Sequence, residues 1–135
     1  MRKTCLETVY ELAKKNNKIV FIGSDLGPGV LDDFKKKIPN RFFMEGVAEQ
    51  AIVGMSAGMA LEKLKPYVNT IATFITRRCF EQVVVDICLH NLPVTLIGKW
   101  RWRSLCASGP YSSSYRRHIY FKKLAKFNYF GSLRC

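Results

Sequence analysis

The sequence predicts an α/β fold: a three-layer αβα arrangement on a mainly parallel sheet, followed by an irregular basic tail. Three observations carry this expectation. Short apolar runs alternate with stretches of helical periodicity as far as Gly98. One of those runs, Lys18 to Gly23 (KIVFIG), is almost continuously apolar, which is how a strand buried on both faces of a parallel sheet reads. The charge also divides at one point. Residues 1–98 hold thirteen Lys and Arg and all ten acids, whereas residues 99–135 hold nine basic residues and no acid.

Taken in order, Met1 to Lys15 has Leu6, Val9, Tyr10, Leu12 and Ala13 at helical spacing, with Thr4 and Glu7 as a capping-box pair. Asn16 and Asn17 end that helix. Lys18 to Gly23 is the first strand, and SDLGPG follows as a loop. Val30 to Lys37 reads as a short helix stopped by Pro39 and Asn40, and Arg41 to Met44 as a strand. Ala48 to Leu64 is a helix that is apolar around most of its circumference, so a central buried position is expected. Its small residues Gly54, Ala57, Gly58 and Ala60 admit close approach by a neighbouring helix or a cofactor. Tyr67 to Ala72 is a strand, Arg77 to His90 a helix and Val94 to Gly98 a strand. Alternation at this spacing is what predicts the layered parallel architecture.

Composition excludes several classes of function. A chain of 135 residues, 48% of them hydrophobic, is one domain's worth with a real core. The longest apolar candidate, Ala51 to Leu61, falls short of the roughly 20 residues a membrane span needs. The N-terminus is charged and amphipathic rather than of signal-peptide type, so a cytoplasmic location is expected. The cysteines Cys5, Cys79, Cys88, Cys106 and Cys135 form no CxxC pair, which indicates neither zinc nor a disulfide framework. Reduced, mostly buried thiols are expected instead. Of the net charge of +12, +9 lies in the tail, so the total is no argument that the whole chain binds nucleic acid.

Ligands on open parallel sheets bind where strands lead into helices. Three loops qualify: GSDLGPG with Asp25, EGVAEQ with Glu45 and Glu49, and NTIATFITRR with Thr73, Phe74, Arg77 and Arg78. The glycine loop is no Walker motif, because no GK[ST] follows it. Glu49 opens the most apolar helix of the chain, where a carboxylate also serves the helix dipole. His90 reads as a helix-terminal charge on the solvent side.

The strings FIGSDLGPG, NRFFMEGVAEQAIVGMSAGMAL, PYVNTIATF and EQVVVDICLHNLPV resemble the start of the C-terminal section of transketolase. The resemblance runs from Met1 to Gly98, and the start at Met1 is similar to split versions in which this section is a separate subunit. It implies an incomplete thiamine-diphosphate pyrimidine-binding domain (residues 1–98) joined to the tail (residues 99–135). It further implies that Glu49 hydrogen-bonds N1′ of the cofactor's aminopyrimidine, favouring the imino tautomer that deprotonates the thiazolium. Phe74 and Phe80 become candidates for the aromatic wall behind the pyrimidine, each with an alternative as plain core, and Asp25 matches the Asp of the family's first loop. The segment TFITRRCFEQ departs from the family pattern, which has an aromatic three residues after the first Phe; here that position is Arg77.

The magnesium and diphosphate motif of the family, GDG…N, does not occur in the sequence, so no metal ligand is assigned. The implied partner is an N-terminal transketolase section carrying the diphosphate-binding domain, in a homo- or hetero-oligomer. The implied reaction is two-carbon ketol transfer between ketose and aldose sugars, with the isolated chain inactive. Two alternatives stand beside it. One is a related domain, as in the β subunit of a 2-oxo acid dehydrogenase or in deoxyxylulose-phosphate synthase. The other is a basic RNA- or membrane-associated module using residues 99–135, although the tail holds no specific nucleic-acid motif.

The resemblance stops abruptly at Gly98, and codon arithmetic offers a cause. Read one base later, the single Trp codon must give Gly, which converts both Trp100 and Trp102. In the same frame the run Gly109 to His118 can read GPTHQAIEDI, the continuation the family has. A single-base insertion near codon 99 would therefore make the tail an out-of-frame product. Deleting one base there is expected to restore a long transketolase-like frame in the gene; a frame that stays closed on sequencing overturns this.

Overall fold

A computed structural model describes residues 2–23, 29 and 31–99. Asp25, with most of the first loop, and the tail from residue 100 lie outside the described residues. Four strands form one sheet in the order β2-β1-β3-β4, every pairing parallel. They are β1 (Ile19–Gly23), β2 (Phe42–Met44), β3 (Lys65–Ile71) and β4 (Thr95–Lys99). The helix α1 (Arg2–Lys15) precedes β1, and α2 (Asp32–Lys37) and α3 (Glu49–Leu61) separate the first three strands. Between β3 and β4 lies an irregular helix: π-helical turns at Phe74–Arg78 and Val83–Cys88, joined by a short α-helical turn, α4 (Phe80–Gln82).

The three layers follow from side-chain alternation. All five residues of β1 are buried, as expected for a strand covered on both faces. Phe21 points into a core with Leu6, Val9, Tyr10 and Ala13 of α1 and Phe34 of α2. Val20 and Ile22 point the other way, onto Ile52 of α3 and Val68 of β3. Beside them, Val53 and Ala57 of α3 pack on Ile75, Cys79, Val83 and Ile87 of the irregular helix. Aromatic rings fill the first face: Phe21 stacks on Phe42 at 5.3 Å between centroids, and Phe34 lies 5.5 Å from Phe42.

Several boundaries differ from the sequence expectations, each for a local reason. No capping box forms in α1, because the helix already runs at Arg2 and places Thr4 inside it. Thr4 instead accepts a hydrogen bond at its carbonyl from Thr8 Oγ1 (2.8 Å), and Glu7 pairs with Lys3. Asn16 ends α1 by accepting from the Lys18 N–H at its side chain (2.9 Å). α3 stops at Leu61 rather than Leu64. Lys63 takes a left-handed conformation (φ 65°), and the N–H groups of Lys63 and Leu64 donate back to Ala60 and Met59.

α3 is also less enclosed than its sequence suggests. Ala51, Gly58 and Leu61 are exposed, because the sheet and the irregular helix cover only part of its circumference. Neither of its glycines serves a close approach among the described residues: a Cβ at Gly54 would meet Asp86 Oδ2 of the neighbouring helix at an ordinary 3.9 Å, and Gly58 faces open space. The thiols are mixed rather than mostly buried. Cys79 is buried and Cys88 half-buried, but Cys5 is exposed; Cys106 and Cys135 lie outside the described residues.

Arg41 lies in a 3-10 turn (Pro39–Arg41) rather than in β2. Its Nη1 donates to the carbonyls of Ala13 (3.0 Å), Asn16 (2.9 Å) and Ile19 (3.2 Å). One guanidinium group thus ties the end of α1 to the start of β1. Arg41→Ala leaves those half-buried carbonyls without this donor. It is expected to cost roughly 2 kcal/mol of stability, read as a lower denaturant midpoint.

Candidate functional site

Glu49 is the best-supported site residue because of where its carboxylate ends up. It occupies the first turn of α3 and is 2% exposed. A buried carboxylate needs partners. The dipole of α3 is favourable there, and two side chains complete its surroundings. Arg78 Nη1 lies 2.6 Å from Oε2, and Thr70 Oγ1, at the carboxyl end of β3, donates to Oε1 at 3.4 Å.

The irregular helix supplies the other half of the site. The helical turn spans Phe74–Arg78 and so starts earlier than the expected Arg77, with Thr76 Oγ1 donating back to the Ala72 carbonyl (2.9 Å). The Cys79 N–H reaches Phe74 rather than Ile75, the wide π-helical turn, with a distance of 3.3 Å. Phe74 and Arg78, four residues apart, face each other across that turn. The Arg78 guanidinium lies over the Phe74 ring at 4.3 Å from its centroid. Gln50 Nε2 donates to the Arg78 carbonyl (3.0 Å), pinning the turn against the start of α3. Wide turns of this kind are frequent at functional sites.

The expected site residues therefore separate. Glu49 and Phe74 come together, bridged by Arg78. Phe80 is half-buried against the apolar cluster between α3 and the irregular helix. Asp25 lies outside the described residues. Glu45 is exposed, and its backbone N–H continues the ladder by donating to Gly23. Arg77 and His90 are exposed. Among the described residues, no group of His, Cys, Asp and Glu could hold a metal ion. Nor is any helix there long and apolar enough to cross a membrane.

Arg78 is the residue that sequence reasoning passed over. It stood in the third loop but was given no role. Its spacing of four from Phe74 was the available signal, since residues so spaced on a helix are neighbours. A second buried polar group, Asn69, lies on the opposite face of β3 between Gly23 and Ile97. Among the described residues, its amide oxygen and nitrogen have no hydrogen-bond partner.

Comparison with known proteins decides the family question. The family described as transketolase, pyrimidine binding domain, matches residues 1–128. The chain belongs to that family. Its members depend on thiamine diphosphate. A solved split-gene transketolase, described as an inactive beta4 tetramer, superposes with a TM-score of 0.66 at 35% identity, over 72% of this chain and 32% of that one.

The 1-deoxy-D-xylulose-5-phosphate synthase of Clostridium perfringens (strain SM101 / Type A) is 45% identical over 91 residues, 67% of this chain and 14% of the relative. The synthase of Mycolicibacterium gilvum is 42% identical over 92 residues, again 67% and 14%. The chain thus spans about one-seventh of the length of these curated relatives.

Cys79 carries a consequence of this packing. Burial, and secondarily the Glu49 carboxylate, push its thiol up to about 11 against a partial offset from Arg78. The folded chain therefore keeps the Cys79 proton where an unfolded chain, near 9.0, has lost it. Folding binds the extra proton in that window, so this contribution to stability is full below pH 9 and lost as pH rises towards 11. Denaturant unfolding across this range is expected to show wild type losing stability faster than Cys79→Ala.

Proposed function

We propose that this chain is the pyrimidine-binding section of a thiamine-diphosphate-dependent transketolase. In this reading it takes part in moving a two-carbon ketol unit from a ketose to an aldose. The observation that carries the reading is the buried Glu49 carboxylate, linked through Arg78 to the face of Phe74, at the carboxyl edge of a parallel sheet. The residues present fit the cofactor's pyrimidine end. A planar, hydrogen-bond-donating group, the Arg78 guanidinium, already sits on Phe74 while donating to Glu49, so the space between them suits the flat ring of an aminopyrimidine protonated at N1′.

Glu49 would then hold a proton at N1′ of the pyrimidine, and Phe74 would fix the plane of the ring. Phe80 would support the wall from the core side, and Asp25 would approach from the first loop. When bound, thiamine diphosphate supplies the electron sink that a protein side chain lacks. The folded unit in this reading is residues 1–98, with residues 99–135 as an appended tail.

Only the pyrimidine end of the cofactor would be held here. Its diphosphate and magnesium would lie on an N-terminal transketolase section, in a homo- or hetero-oligomer. The structural relative is itself a tetramer of β chains described as inactive, which supports a need for a partner section. The open flank of α3 at Ala51 and Leu61, with Val47 beside it in sequence, is apolar surface such a partner could cover. A second reading, formation of 1-deoxy-D-xylulose 5-phosphate, is favoured by the names of the curated relatives.

The purified chain is expected to show no ketol transfer alone and to gain it when combined with a section carrying the diphosphate site. In the combined enzyme Glu49→Gln is expected to lower turnover by roughly a hundredfold or more, the usual scale for losing a proton-handling group. Transfer by the chain alone defeats the partner requirement, and full activity of Glu49→Gln defeats the assignment of Glu49. Product analysis separates the two reactions.

A further inference from the structure

Arg78 is the unexpected member of the site, and its geometry is specific. Its guanidinium group makes two contacts at once: Nη1 to the Glu49 carboxylate at 2.6 Å, and its plane over the Phe74 ring at 4.3 Å. These are the two groups proposed to receive the cofactor's aminopyrimidine. A guanidinium and an aminopyrimidine protonated at N1′ share the relevant chemistry, since both are flat and delocalised and both turn an N–H donor to the carboxylate. They cannot occupy one place together.

We infer that Arg78 is an internal stand-in for the aminopyrimidine: it fills the space between Glu49 and Phe74, and cofactor loading requires its side chain to swing out. The inference rests on the proposed function and adds to it a gate within the same site.

The surroundings favour such a movement. Glu49 is held inside the fold at 2% exposure, whereas the Arg78 side chain is 43% exposed and has a route to solvent. The backbone of Arg78 is independently pinned by Gln50, so the side chain can leave without unwinding the turn. With Arg78 withdrawn, the Glu49 carboxylate would be left, among the described residues, with the weak Thr70 contact and the helix dipole. An uncompensated buried charge is costly. The site therefore favours Arg78 inside until a ligand offers the carboxylate an equivalent donor. A competent state populated only part of the time lowers apparent affinity by that fraction.

The test is a thiamine titration of the full chain, because thiamine carries the aminopyrimidine without the diphosphate. Wild type, Arg78→Met, Arg78→Lys and the double variant Glu49→Gln/Arg78→Met are compared by calorimetry. Arg78→Met keeps the apolar stem and removes the planar donor. Arg78→Lys keeps a charge for Glu49 but cannot stack flat on Phe74, and it guards against misfolding of Arg78→Met.

Thiamine is expected to bind Arg78→Met roughly tenfold tighter than wild type, corresponding to a seat free about one-tenth of the time in wild type. Arg78→Lys should be intermediate, and the double variant should lose the gain. In parallel, millimolar guanidinium ion should raise the melting temperature of Arg78→Met and not that of wild type, by refilling the vacated space.

Equal thiamine affinity in wild type and the Arg78 variants overturns the gate and leaves the cofactor reading standing. A gain that persists in the double variant also overturns it, because the seat would not involve Glu49. No thiamine binding by any folded variant overturns both the gate and the cofactor reading, whether or not guanidinium protects.

Discussion

The parallel pairing of β1 with β3 is the constraint on which the rest of the structure depends. Five consecutive register pairs, from Ile19 with Lys65 to Gly23 with Asn69, join two strands far apart in sequence. Parallel neighbours cannot be joined by a tight turn, so each connection must cross the sheet and carry a helix with it. Both faces of β1 are then apolar and both must be covered. α1 and α2 meet one face, α3 and the irregular helix the other, and every strand points its carboxyl end to the same edge. Glu49, Thr70 and Phe74 arrive from separate segments but share that edge for this reason alone.

At the edge, a second physical demand shapes the site. A carboxylate buried at the start of an apolar helix must be compensated. The helix dipole is one answer and Arg78 is the other, reached because the wide turn after β3 brings Phe74 and Arg78 against the start of α3. The same packing sets the character of Cys79, next to Arg78 in sequence and enclosed by the α3 cluster, whose thiol is pushed up by burial. Stability and site chemistry are therefore coupled through a few adjacent residues. The side of α3 away from this packing keeps apolar surface at Ala51 and Leu61.

Much of the fold was legible because its signals are local. The apolar run KIVFIG marked a strand buried on both faces, and the order of elements was readable from periodicity. Boundaries failed where a single backbone conformation or a side-chain bond decided them. Lys63 in a left-handed conformation shortened α3, and Thr76 bonding back to Ala72 helped helix formation begin ahead of Arg77. Arg41 was read as the first residue of a strand. Its three carbonyl partners lie 22 to 28 residues away, a separation to which no local pattern is sensitive.

For the site, the sequence by itself determined that Glu49 opens an apolar helix and that an aromatic follows the next strand. Those facts depend on spacing along the chain, and the family resemblance rests on the same strings. Only the tertiary structure decided that Glu49 is buried, that Arg78 lies between it and Phe74, and that Phe80 packs on the cluster between α3 and the irregular helix. The reason is geometric. Burial and ion pairing depend on which segments the crossover connections bring to one edge of the sheet, and on the extra width of a π-helical turn that composition does not announce.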